Sequence, residues 1–301
     1  RFGWSVSLSS DGNVLAVGAT QNDGNGVDSG HVRVFENLSG NWIQIGADID
    51  GPHFDANFGF SVSISDNGNI LAIGSPNYGL PFFNDSGLVR VFENQFGNWI
   101  QVGDDIEGDA QGDESGFSVS LSSDGSVVAI GAPKNSDAGV FAGQVRIFEN
   151  SAGTWTQIGS DIDGDVGTEQ SGCAIALSAD GSMLVVGARF ANNGSTEGRV
   201  RIYENQLSYW VQLGSDLYGD EYFDEFGISV AISNDSYSTL AIGAYQLQFS
   251  DGRTGYARGY SLQGVTPTPT PVIEAPATSS IGIFIILAIM GILLTVKSVK
   301  K

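Results

Sequence analysis

Apolar and polar residues alternate along short stretches of the chain, and the same stretches return at a nearly constant interval. In the first stretch, Val6 and Leu8 are separated by Ser7, which is the period-two pattern of a β-strand with two different faces. The turn Ser10–Asn13 follows, and after it comes the apolar run Val14–Val17. The Asp-Gly of the turn tolerates the positive φ of tight hairpins, and a continuous apolar run is typical of a strand buried on both faces. The pattern therefore predicts two antiparallel strands joined by a hairpin.

Five copies of this unit follow one another at intervals of about 56 residues, and a long fixed period is the signature of a repeat architecture. Each copy continues with a Gly-Ala or Gly-Ser mark and a further strand, and every copy except the last adds a strand led by Trp. No stretch before residue 277 has a credible helical period. Four short antiparallel strands per unit predict an all-β fold, a β-propeller built of four-stranded blades. The five copies begin at Phe2, Phe58, Ser115, Ser171 and Phe226.

The number of blades is open at this point. The last copy lacks the Trp-led fourth strand, so we expect five repeats of which the last is incomplete. The chain opens at Arg1, inside the Phe-Gly mark, without an initiator Met or a signal peptide. We therefore expect an N-terminally truncated propeller with roughly five to seven blades in all. A complete five-bladed ring with a shortened last blade is the alternative.

The charge composition narrows the function. The chain carries 34 Asp and Glu residues against 13 Lys and Arg residues, a formal net charge of −21, which repels phosphate backbones and excludes nucleic-acid binding. Cys173 is the single cysteine, which excludes disulfides and Cys-based zinc sites, and His31 and His53 are the only histidines. Because so few groups are available for general acid–base chemistry, we expect that the protein is not an enzyme, and we assign no catalytic residue.

Two of the recurring marks resemble a known family. Phe58-Gly59, followed by Ser61-Val62, and Gly131-Ala132-Pro133 in the third copy resemble the FG-GAP repeat of integrin α-subunit N-terminal propellers. The resemblance covers residues 1–264 and implies the propeller ectodomain of an adhesion or recognition protein. It also implies a ligand face formed by the loops between strands 4 and 1 and between strands 2 and 3. The family's calcium loop is not carried over, because the turns between strands 1 and 2 hold one carboxylate each, whereas calcium needs roughly six to eight oxygens.

The loops between strands 2 and 3 are long and differ among the copies, and binding residues usually lie on such loops of a rigid scaffold. Aromatic residues on these loops would anchor a sugar or protein partner; the alternative is that the rings fold back and only plug their loops. The repeated Trp residues occupy one position per unit and are assigned to blade packing. The ligand-binding candidates are Tyr78, Phe82, Phe83, Phe141, Phe190 and Phe249.

Carboxylates cluster in the connection from strand 4 to the next unit. The sequence Asp-x-Asp-Gly at Asp48–Gly51 is a fragment of a calcium loop without its closing Glu. Ca²⁺ is therefore a weak candidate cofactor, and no other cofactor is expected. The alternative, which we favour, is a solvated acidic rim that keeps the protein soluble. The metal candidates are Asp48, Asp50, Asp105, Glu107, Asp109, Asp161, Asp163 and Asp165.

The composition changes after Gly264. Residues 265–276 are rich in Thr and Pro and predict an extended stalk. Residues 277–296 carry no charge and, as a helix, are long enough to span a bilayer. The lysines in the tail 297–301 predict a cytoplasmic C-terminus and an extracellular propeller by the positive-inside rule. Residues 274–278 also resemble a prokaryotic sorting signal, in which case the span would be removed.

These features give three functional hypotheses. The first is a membrane-anchored extracellular recognition or adhesion propeller that binds a protein or a glycan through its 4–1 and 2–3 loops. The second is a structural repeat protein of the cell surface or envelope without a specific ligand. The third, which we favour least, is an extracellular propeller hydrolase.

Overall fold

The structure, a computed structural model, shows five antiparallel β-sheets that follow one another along the chain. Each sheet holds one copy of the repeat, so the part of the chain that the structure describes forms five propeller blades and contains no helix. The all-β propeller predicted from the sequence is confirmed. The described residues are 2–79, 85–191, 196–233, 239–245 and 255–262, together with the short strand Thr268–Pro269.

The first blade shows the plan that the others repeat. Its sheet order is β1-β2-β3-β4, and β5 pairs with the other half of β3. The predicted fourth strand is therefore divided into two short strands, because the chain leaves β3 after Gln44 and returns to it at Ile49. The strands are β1 (Phe2–Leu8), β2 (Val14–Ala19), β3 (His31–Leu38), β4 (Asn41–Gln44) and β5 (Ile49–Asp50).

The remaining blades keep this order. The second contains β6 (Ser61–Ile64), β7 (Ile70–Ser75), β8 (Leu88–Gln95), β9 (Asn98–Gln101) and β10 (Ile106–Glu107). The third contains β11 (Ser118–Leu121), β12 (Val127–Ala132), β13 (Gln144–Ser151), β14 (Thr154–Gln157) and β15 (Ile162–Asp163). The fourth contains β16 (Ser171–Leu177), β17 (Met183–Ala188), β18 (Arg199–Gln206), β19 (Tyr209–Gln212) and β20 (Leu217–Tyr218). The fifth contains β21 (Ser229–Ile232), β22 (Thr239–Ala244), β23 (Tyr256–Ser261) and β24 (Thr268–Pro269).

The fifth blade departs from the sequence-based prediction. It has a fourth strand where none is expected, because β24 pairs with Tyr260 and Ser261 of β23. This strand lies within the stretch assigned to the stalk. Proline is tolerated in edge strands, and β24 lies at the edge of its sheet.

The hairpin turns between the first two strands of each blade are held by their own side chains. Asp11 Oδ1 accepts hydrogen bonds from Ser9 Oγ at 2.6 Å and from the Asn13 amide at 2.9 Å. These bonds, that from Ser9 first, lower the pKa of Asp11. Gly12 has a φ of 72°, which glycine adopts without strain. The aspartates of these turns are therefore turn formers, as the sequence predicts.

The hydrophobic core lies between consecutive blades. Val32 and Val34 of β3 pack against Phe58, Leu71 and Ile73 of the second blade, and all five side chains are buried. Burying a side chain of this size stabilises a fold by about 1.5–3 kcal/mol. Similar clusters join the second blade to the third, the third to the fourth and the fourth to the fifth. Each blade thus depends on its neighbours for its core, as repeat architectures do.

Hydrogen bonds also join each innermost strand to the next. Ser5 Oγ donates to the Gly59 carbonyl at 2.7 Å, and the Ile64 amide donates to Ser7 Oγ at 3.0 Å. Gly18 lies so close to the Gly59 carbonyl that a Cβ atom at position 18 would overlap with it. The serines and glycines of the repeat therefore serve the close packing of innermost strands. Equivalent hydroxyl bonds are made by Ser61, Ser63, Ser118 and Ser120.

The repeated tryptophans join the blades at their outer rim. In the second, third and fourth blades the indole N–H donates to a main-chain carbonyl of the preceding blade, which gives these three residues the packing role expected of them. The pairs are Trp99 with Ile45 at 3.2 Å, Trp155 with Val102 at 2.9 Å and Trp210 with Ile158 at 3.3 Å.

The membrane prediction concerns residues that the structure does not describe. Over the described ranges, no helix has the length and apolar character that a membrane span requires. The expected span 277–296 and the basic tail 297–301 lie outside those ranges, as does most of the stalk 265–276.

Candidate functional site

The loops on one side of the propeller are joined in pairs. After the first blade, the Phe58 amide donates to the Ser29 carbonyl at 3.0 Å and the Asp55 amide donates to the Val27 carbonyl at 2.8 Å. Each 2–3 loop is thereby fastened to the 4–1 connection that follows it, and the same parallel bridge recurs after the next three blades. We call this surface the loop face. It consists of the described residues of the 2–3 loops (20–30, 76–87, 133–143, 189–198) and of the 4–1 connections (51–57, 108–114, 164–170, 219–225).

The loop face carries three of the predicted aromatic candidates, each on a different blade. Tyr78 is half-buried, and its ring centroid lies 4.9 Å from that of His53. Phe141 is exposed, with a φ of 54°. Phe190 is half-buried, with the Arg189 guanidinium 4.7 Å from its ring centroid. The structure therefore does not bring these three rings together. The candidates Phe82, Phe83 and Phe249 lie outside the described residues.

The 4–1 connections add apolar side chains that the sequence analysis did not select. Phe54 is 52% exposed and Tyr222 is 64% exposed, and both stand beside acidic residues. Only the carboxylates of these connections were selected from the sequence. An aromatic residue within an acidic loop is itself a signal of a binding surface, because a loop that is merely solvated does not need an aromatic side chain. The other members of this set are His53, Phe223 and, on the 2–3 loops, Val27 and Val140.

One group of these side chains is contiguous, and we call Val27, His53, Phe54 and Tyr78 the aromatic patch. The rings of His53 and Phe54 lie 6.0 Å apart in an edge arrangement, and the ring of Tyr78 lies 4.9 Å from that of His53. Gly26 lies beside Phe54, since a Cβ atom at position 26 would be 3.0 Å from the Phe54 Cβ. The patch is therefore a continuous surface shared by the first 2–3 loop, the first 4–1 connection and the second 2–3 loop.

His53 gives the patch a polar group without a partner. Its Nδ1 lies 2.7 Å from the Phe54 carbonyl oxygen, which only accepts, so Nδ1 carries the proton and Nε2 of the neutral ring is an acceptor. Among the residues that the structure describes, Nε2 has no hydrogen-bond partner. A buried acceptor left unpaired is costly, and because neighbouring protein atoms cover Nε2, a ligand donor reaches it only if the His53 ring turns.

The metal candidates are partners of arginines. Arg33 donates to both oxygens of Asp48, at 2.9 and 2.8 Å, and Arg90 does the same with Asp105, at 2.8 Å for both bonds. The bonds from Arg33 lower the pKa of Asp48. Burial alone would raise the pKa of Asp105, but the hydrogen bonds from Arg90 and Gln101 outweigh it and lower that pKa.

The later blades repeat this pairing across the blade boundary. Arg146 binds Asp109 of the preceding connection at 2.6 Å, and Arg201 binds Asp165 in the same way. The bonds from Arg201 are the main cause that lowers the pKa of Asp165 to about 2. Two other candidates accept from glutamines: Asp161 from Gln157 and Asp163 from Gln144.

These carboxylates do not converge on a cation site. Within the described ranges, no three or more His, Cys, Asp or Glu side chains gather in a way that could hold a metal ion, and calcium requires several carboxylates around one point. Of the two candidates not yet placed, Asp50 lies beside Gly24 in the first 2–3 loop, and the main-chain carbonyl of Glu107 accepts from Arg146. The geometry therefore offers no calcium site there, and the acids serve ion pairing and a charged rim.

Buried carboxylates at the base of the loop face were not anticipated. Asp113 accepts from the Ala110 amide at 2.9 Å, and burial raises its pKa. Asp224 accepts from the Asp220 amide at 2.9 Å and from the Tyr256 hydroxyl at 2.7 Å. Asp113 and Asp224 each lie two residues before the Phe-Gly position of the next copy, and the first 4–1 connection has alanine at this place. A comparison of the copies therefore shows that an acidic residue recurs there. These acids hold the 4–1 connections in shape.

A cavity on the surface of the propeller lies at a different place from the aromatic patch. A cavity of about 340 Å³ lies at the outer wall between the second and third blades, with Asp105, Arg146 and Trp155 in its lining. These residues are already engaged in the Arg–Asp pairs and the indole bond described above. The aromatic patch is a surface rather than a cavity, and the exposed ring of Phe54 beside His53 and Tyr78 singles it out.

Comparison with known proteins agrees with this architecture. The family model of the FG-GAP repeat matches residues 1–35. The start of the first copy of the unit therefore matches the FG-GAP repeat. The later copies keep the glycine of the Phe-Gly mark and a Gly-Ala or Gly-Ser mark, with Ser115 and Ser171 in place of Phe in the third and fourth, and they form equivalent blades. This agreement confirms the resemblance drawn from the Phe-Gly and Gly-Ala-Pro positions. A comparison with curated protein sequences gives no match.

Solved structures with a similar fold include two proteins described as lactonases. The periplasmic gluconolactonase of Pseudomonas aeruginosa has a TM-score of 0.54 and 15% sequence identity to the FG-GAP chain, and the match covers 91% of this chain and 73% of the other. A putative 6-phosphogluconolactonase from Bacteroides uniformis has a TM-score of 0.51 and 13% identity, with 89% of this chain and 83% of the other covered. At identities this low, the structural likeness shows a shared fold and nothing about function.

The likeness corrects one expectation. The scarcity of His and Cys led us to expect that the FG-GAP chain is not an enzyme, and that expectation is wrong as an exclusion. Two proteins of the same fold are described as a gluconolactonase and a putative 6-phosphogluconolactonase, so the fold does not exclude enzymatic activity. Composition is a poor guide here because activity depends on a few groups in one site rather than on overall residue counts.

Proposed function

We propose that the FG-GAP propeller is a recognition module that binds a neutral or basic glycan at the aromatic patch of its loop face. The observation that carries this proposal is the patch itself, in which the exposed ring of Phe54 and the half-buried ring of Tyr78 lie 6.0 and 4.9 Å from the His53 ring. Aromatic rings present flat apolar faces to the C–H faces of sugars. The carboxylate of Asp55, which is exposed and follows Phe54 in the sequence, suits the hydroxyl donors of a polyol.

The charge of the chain selects among glycans. With a formal net charge of −21, the surface repels acidic polysaccharides and attracts basic ones, and the effect weakens as salt screens it. A neutral glycan would bind mainly through ring contacts and hydrogen bonds, and its affinity would depend little on salt. The salt dependence of binding therefore separates the contribution of charge from that of the patch.

The experiment measures binding of the full chain, purified in mild detergent, to immobilised neutral, basic and acidic polysaccharides. Phe54→Ala and His53→Ala should each weaken binding about tenfold, which corresponds to about 1.4 kcal/mol. Phe96→Ala is the matched control, because Phe96 is fully exposed at the tip of the β8–β9 hairpin, outside the loop face. Binding that survives both patch substitutions would refute the site. Absence of glycan binding together with capture of one defined protein would replace the glycan with a protein ligand.

We also propose that the propeller is held at the outer surface of a membrane by residues 277–296. The support is the sequence: this segment has no charged residue, and Lys297, Lys300 and Lys301 follow it at once. The full chain should remain in the membrane pellet after alkaline extraction, and a chain ending at Pro276, which keeps β24, should be soluble. A full chain that alkaline extraction releases intact would contradict this proposal.

Lactone hydrolysis is the second candidate, and one observation beyond the shared fold favours it. Glu225 is buried at the base of the loop face, and this burial raises its pKa, opposed by Arg189. A carboxyl group with a raised pKa is suited to general acid–base catalysis. Turnover of δ-gluconolactone above its spontaneous rate, lost in Glu225→Gln and kept in the exposed control Glu149→Gln, would establish this activity. No turnover above the spontaneous rate would remove it.

A further inference from the structure

The hairpin between β8 and β9 ends in a phenylalanine that the protein does not cover. Phe96 is 105% exposed, and the blades on either side of it, the first and the third, both belong to the described residues. Its φ of 56° lies in the left-handed region, which a bulky side chain rarely adopts. Ser39 and Ala152 hold the same place in the neighbouring hairpins with φ of 55° and 51°, so the turn forms without a large side chain. The fold therefore does not require Phe96, and the fourth blade repeats the feature with Leu207, which is 94% exposed.

The two turns of each blade lie at the same end of the strands, opposite the loop face. β2 runs from its turn toward the loop face, and its antiparallel partner β3 returns to the starting end, so the β1–β2 and β3–β4 turns share that end. We call it the hairpin face. In the first four blades it consists of residues 9–13, 37–41, 65–69, 94–98, 122–126, 150–154, 178–182 and 205–209.

Main-chain hydrogen bonds make the hairpin face a continuous, preformed surface. The Ser10 amide donates to the Asp66 carbonyl at 3.1 Å, and the Asp66 amide donates to the Ser123 carbonyl at 2.8 Å. The two turns of one blade are also joined, since the Asn94 amide donates to the Asn69 carbonyl at 2.8 Å. A partner that binds such a surface does not have to order its backbone, which lowers the cost of binding.

The hairpin face is acidic and has no cation of its own. Its turns contain no Lys or Arg, whereas one glutamate per blade precedes each β3–β4 turn: Glu36, Glu93, Glu149 and Glu204. The described arginines and Lys134 pair with carboxylates elsewhere, in the segments between the fourth strand of one blade and the next blade. Arg189 donates to Gln170 in one of these segments. No described cation therefore neutralises the four glutamates.

We propose that the hairpin face of the second and third blades binds a basic polypeptide segment of a partner protein. Phe96 is the apolar anchor, and Glu93 and Glu149 pair with Lys or Arg side chains of the partner. Aromatic anchors supply much of the affinity of protein interfaces, and opposite charges speed the encounter and fix its orientation. The charge of the face disfavours other occupants, because it repels an anionic membrane and a second copy of a chain with net charge −21. The aromatic patch lies at the opposite end of the strands, so glycan binding there is independent of this contact.

The experiment selects displayed random peptides on the immobilised full chain in mild detergent, with an excess of the Phe96→Ser chain in solution as competitor. Serine is compatible with this turn, since Ser39 occupies the same position in the first blade. The recovered peptides should be rich in Lys and Arg and should contain apolar residues. A synthesised member should lose at least about tenfold in affinity for Phe96→Ser and about two- to fivefold for Glu149→Gln, as an exposed ion pair does.

Two exposed residues outside the hairpin face provide matched controls. Val140→Ser removes an apolar side chain of the loop face that is 65% exposed, and Asp104→Asn removes an exposed carboxylate. Neither substitution should change the affinity for the selected peptide. Recovery of peptides without basic residues, or equal losses in Phe96→Ser and Val140→Ser, would overturn the proposal.

A dye attached to the full chain at Phe96→Cys tests the other occupants of the tip. The native Cys173 is buried, and its burial raises its pKa to about 11, so the dye reacts at position 96. The emission of the dye should respond to the selected peptide and not to zwitterionic vesicles. A response to vesicles alone would assign the tip to lipid, a response to unlabelled chain alone would assign it to a second copy, and either result would overturn the proposal.

Discussion

Two kinds of blade interface occur in this chain, and they differ in how the innermost strands are joined. Between the first four blades, serine hydroxyls bond to the next innermost strand, as Ser61 Oγ does to the Gly116 carbonyl at 2.8 Å. Between the fourth and fifth blades, both serine positions are alanines, Ala174 and Ala176. Cys173 Sγ approaches the Gly227 carbonyl instead, at 3.8 Å, and a thiol is a weak donor.

The apolar core is present at both kinds of interface. Between the fourth and fifth blades, Val200 and Ile202 share a buried cluster with Phe226 and Leu240. The comparison teaches that packing is sufficient to dock one blade on the next, whereas the hydroxyl bonds add a directional fit between innermost strands. Apolar burial is non-directional and scales with area, but a hydrogen bond requires its donor and acceptor at a fixed distance and angle.

The close approach of glycine to the next blade should be required equally at both interfaces. A Cβ atom at Gly74 or Gly187 would overlap with the carbonyl oxygen of the following blade, and relieving that overlap moves two strands apart. Gly74→Ala and Gly187→Ala should each lower the free energy of unfolding by about 3 kcal/mol, measured in urea. Gly3→Ala is the control, since position 3 has a positive φ but no atom within 4 Å of a Cβ, and should lower it by about 1 kcal/mol. A small effect at Gly187 alone would show that the last interface is looser.

The tryptophans at the outer rim provide the second test. The second, third and fourth blades make an indole bond to the preceding blade, and Trp42 of the first blade makes none among the described residues. Trp155→Phe removes the donor to the Val102 carbonyl and should lower the free energy of unfolding by about 1–2 kcal/mol. Trp42→Phe should change it by less than half as much. Trp42 is exposed, and no blade precedes it among the described residues. Equal effects at the two positions would assign the tryptophans to strand propensity rather than to contact between blades.

Much of this architecture is visible in the sequence, and the missed parts have a common cause. The period-two pattern of Ser5–Leu8 and the Asp-Gly turns predict the strands correctly, because both signals are local. The two-residue strand Ile49–Asp50 is too short to show a period. Ser5 and Ser7 have the pattern of a solvent-facing strand side, and only the neighbouring blade turns them into bonding partners.

The candidate site was less predictable for the same reason. Asp48 and Asp105 belong to acidic clusters in sequence, and their pairing with Arg33 and Arg90 depends on β3 and β8 lying alongside the connections. The aromatic patch joins two loops and a connection from different repeats, with His53 central to it. Contacts between distant residues of this kind cannot be deduced from spacing along the chain.

Exchanging serine and alanine on the innermost strands tests how much the inter-blade hydroxyl bonds contribute to stability. Ser61→Ala with Ser63→Ala removes two inter-blade bonds and should lower the free energy of unfolding by about 1–2 kcal/mol. Ala174→Ser with Ala176→Ser should install the missing bonds at the last interface and raise it by at most about 1 kcal/mol. Hydrogen exchange of the Ile232 amide, the counterpart of Ile64, should slow in the second variant. Unchanged exchange there would mean that the last interface does not share the register of the others.

The ion pairs across the blades should have the smallest effect, and pH reveals it. Arg201 lowers the pKa of Asp165 from the ordinary value of 3.8 to about 2, so the pair stabilises the fold fully above pH 4. Between pH 4 and pH 2 the unfolded chain takes up the proton first, and the stabilisation is lost progressively. Asp165 is 51% exposed, so screening keeps the effect small. Asp165→Asn should therefore flatten the decline of the urea midpoint between pH 4 and pH 2 while leaving the serine-dependent differences between interfaces unchanged. An equally steep decline in that variant would show that other carboxylates, such as Asp216 beside the same arginine, carry the acid sensitivity.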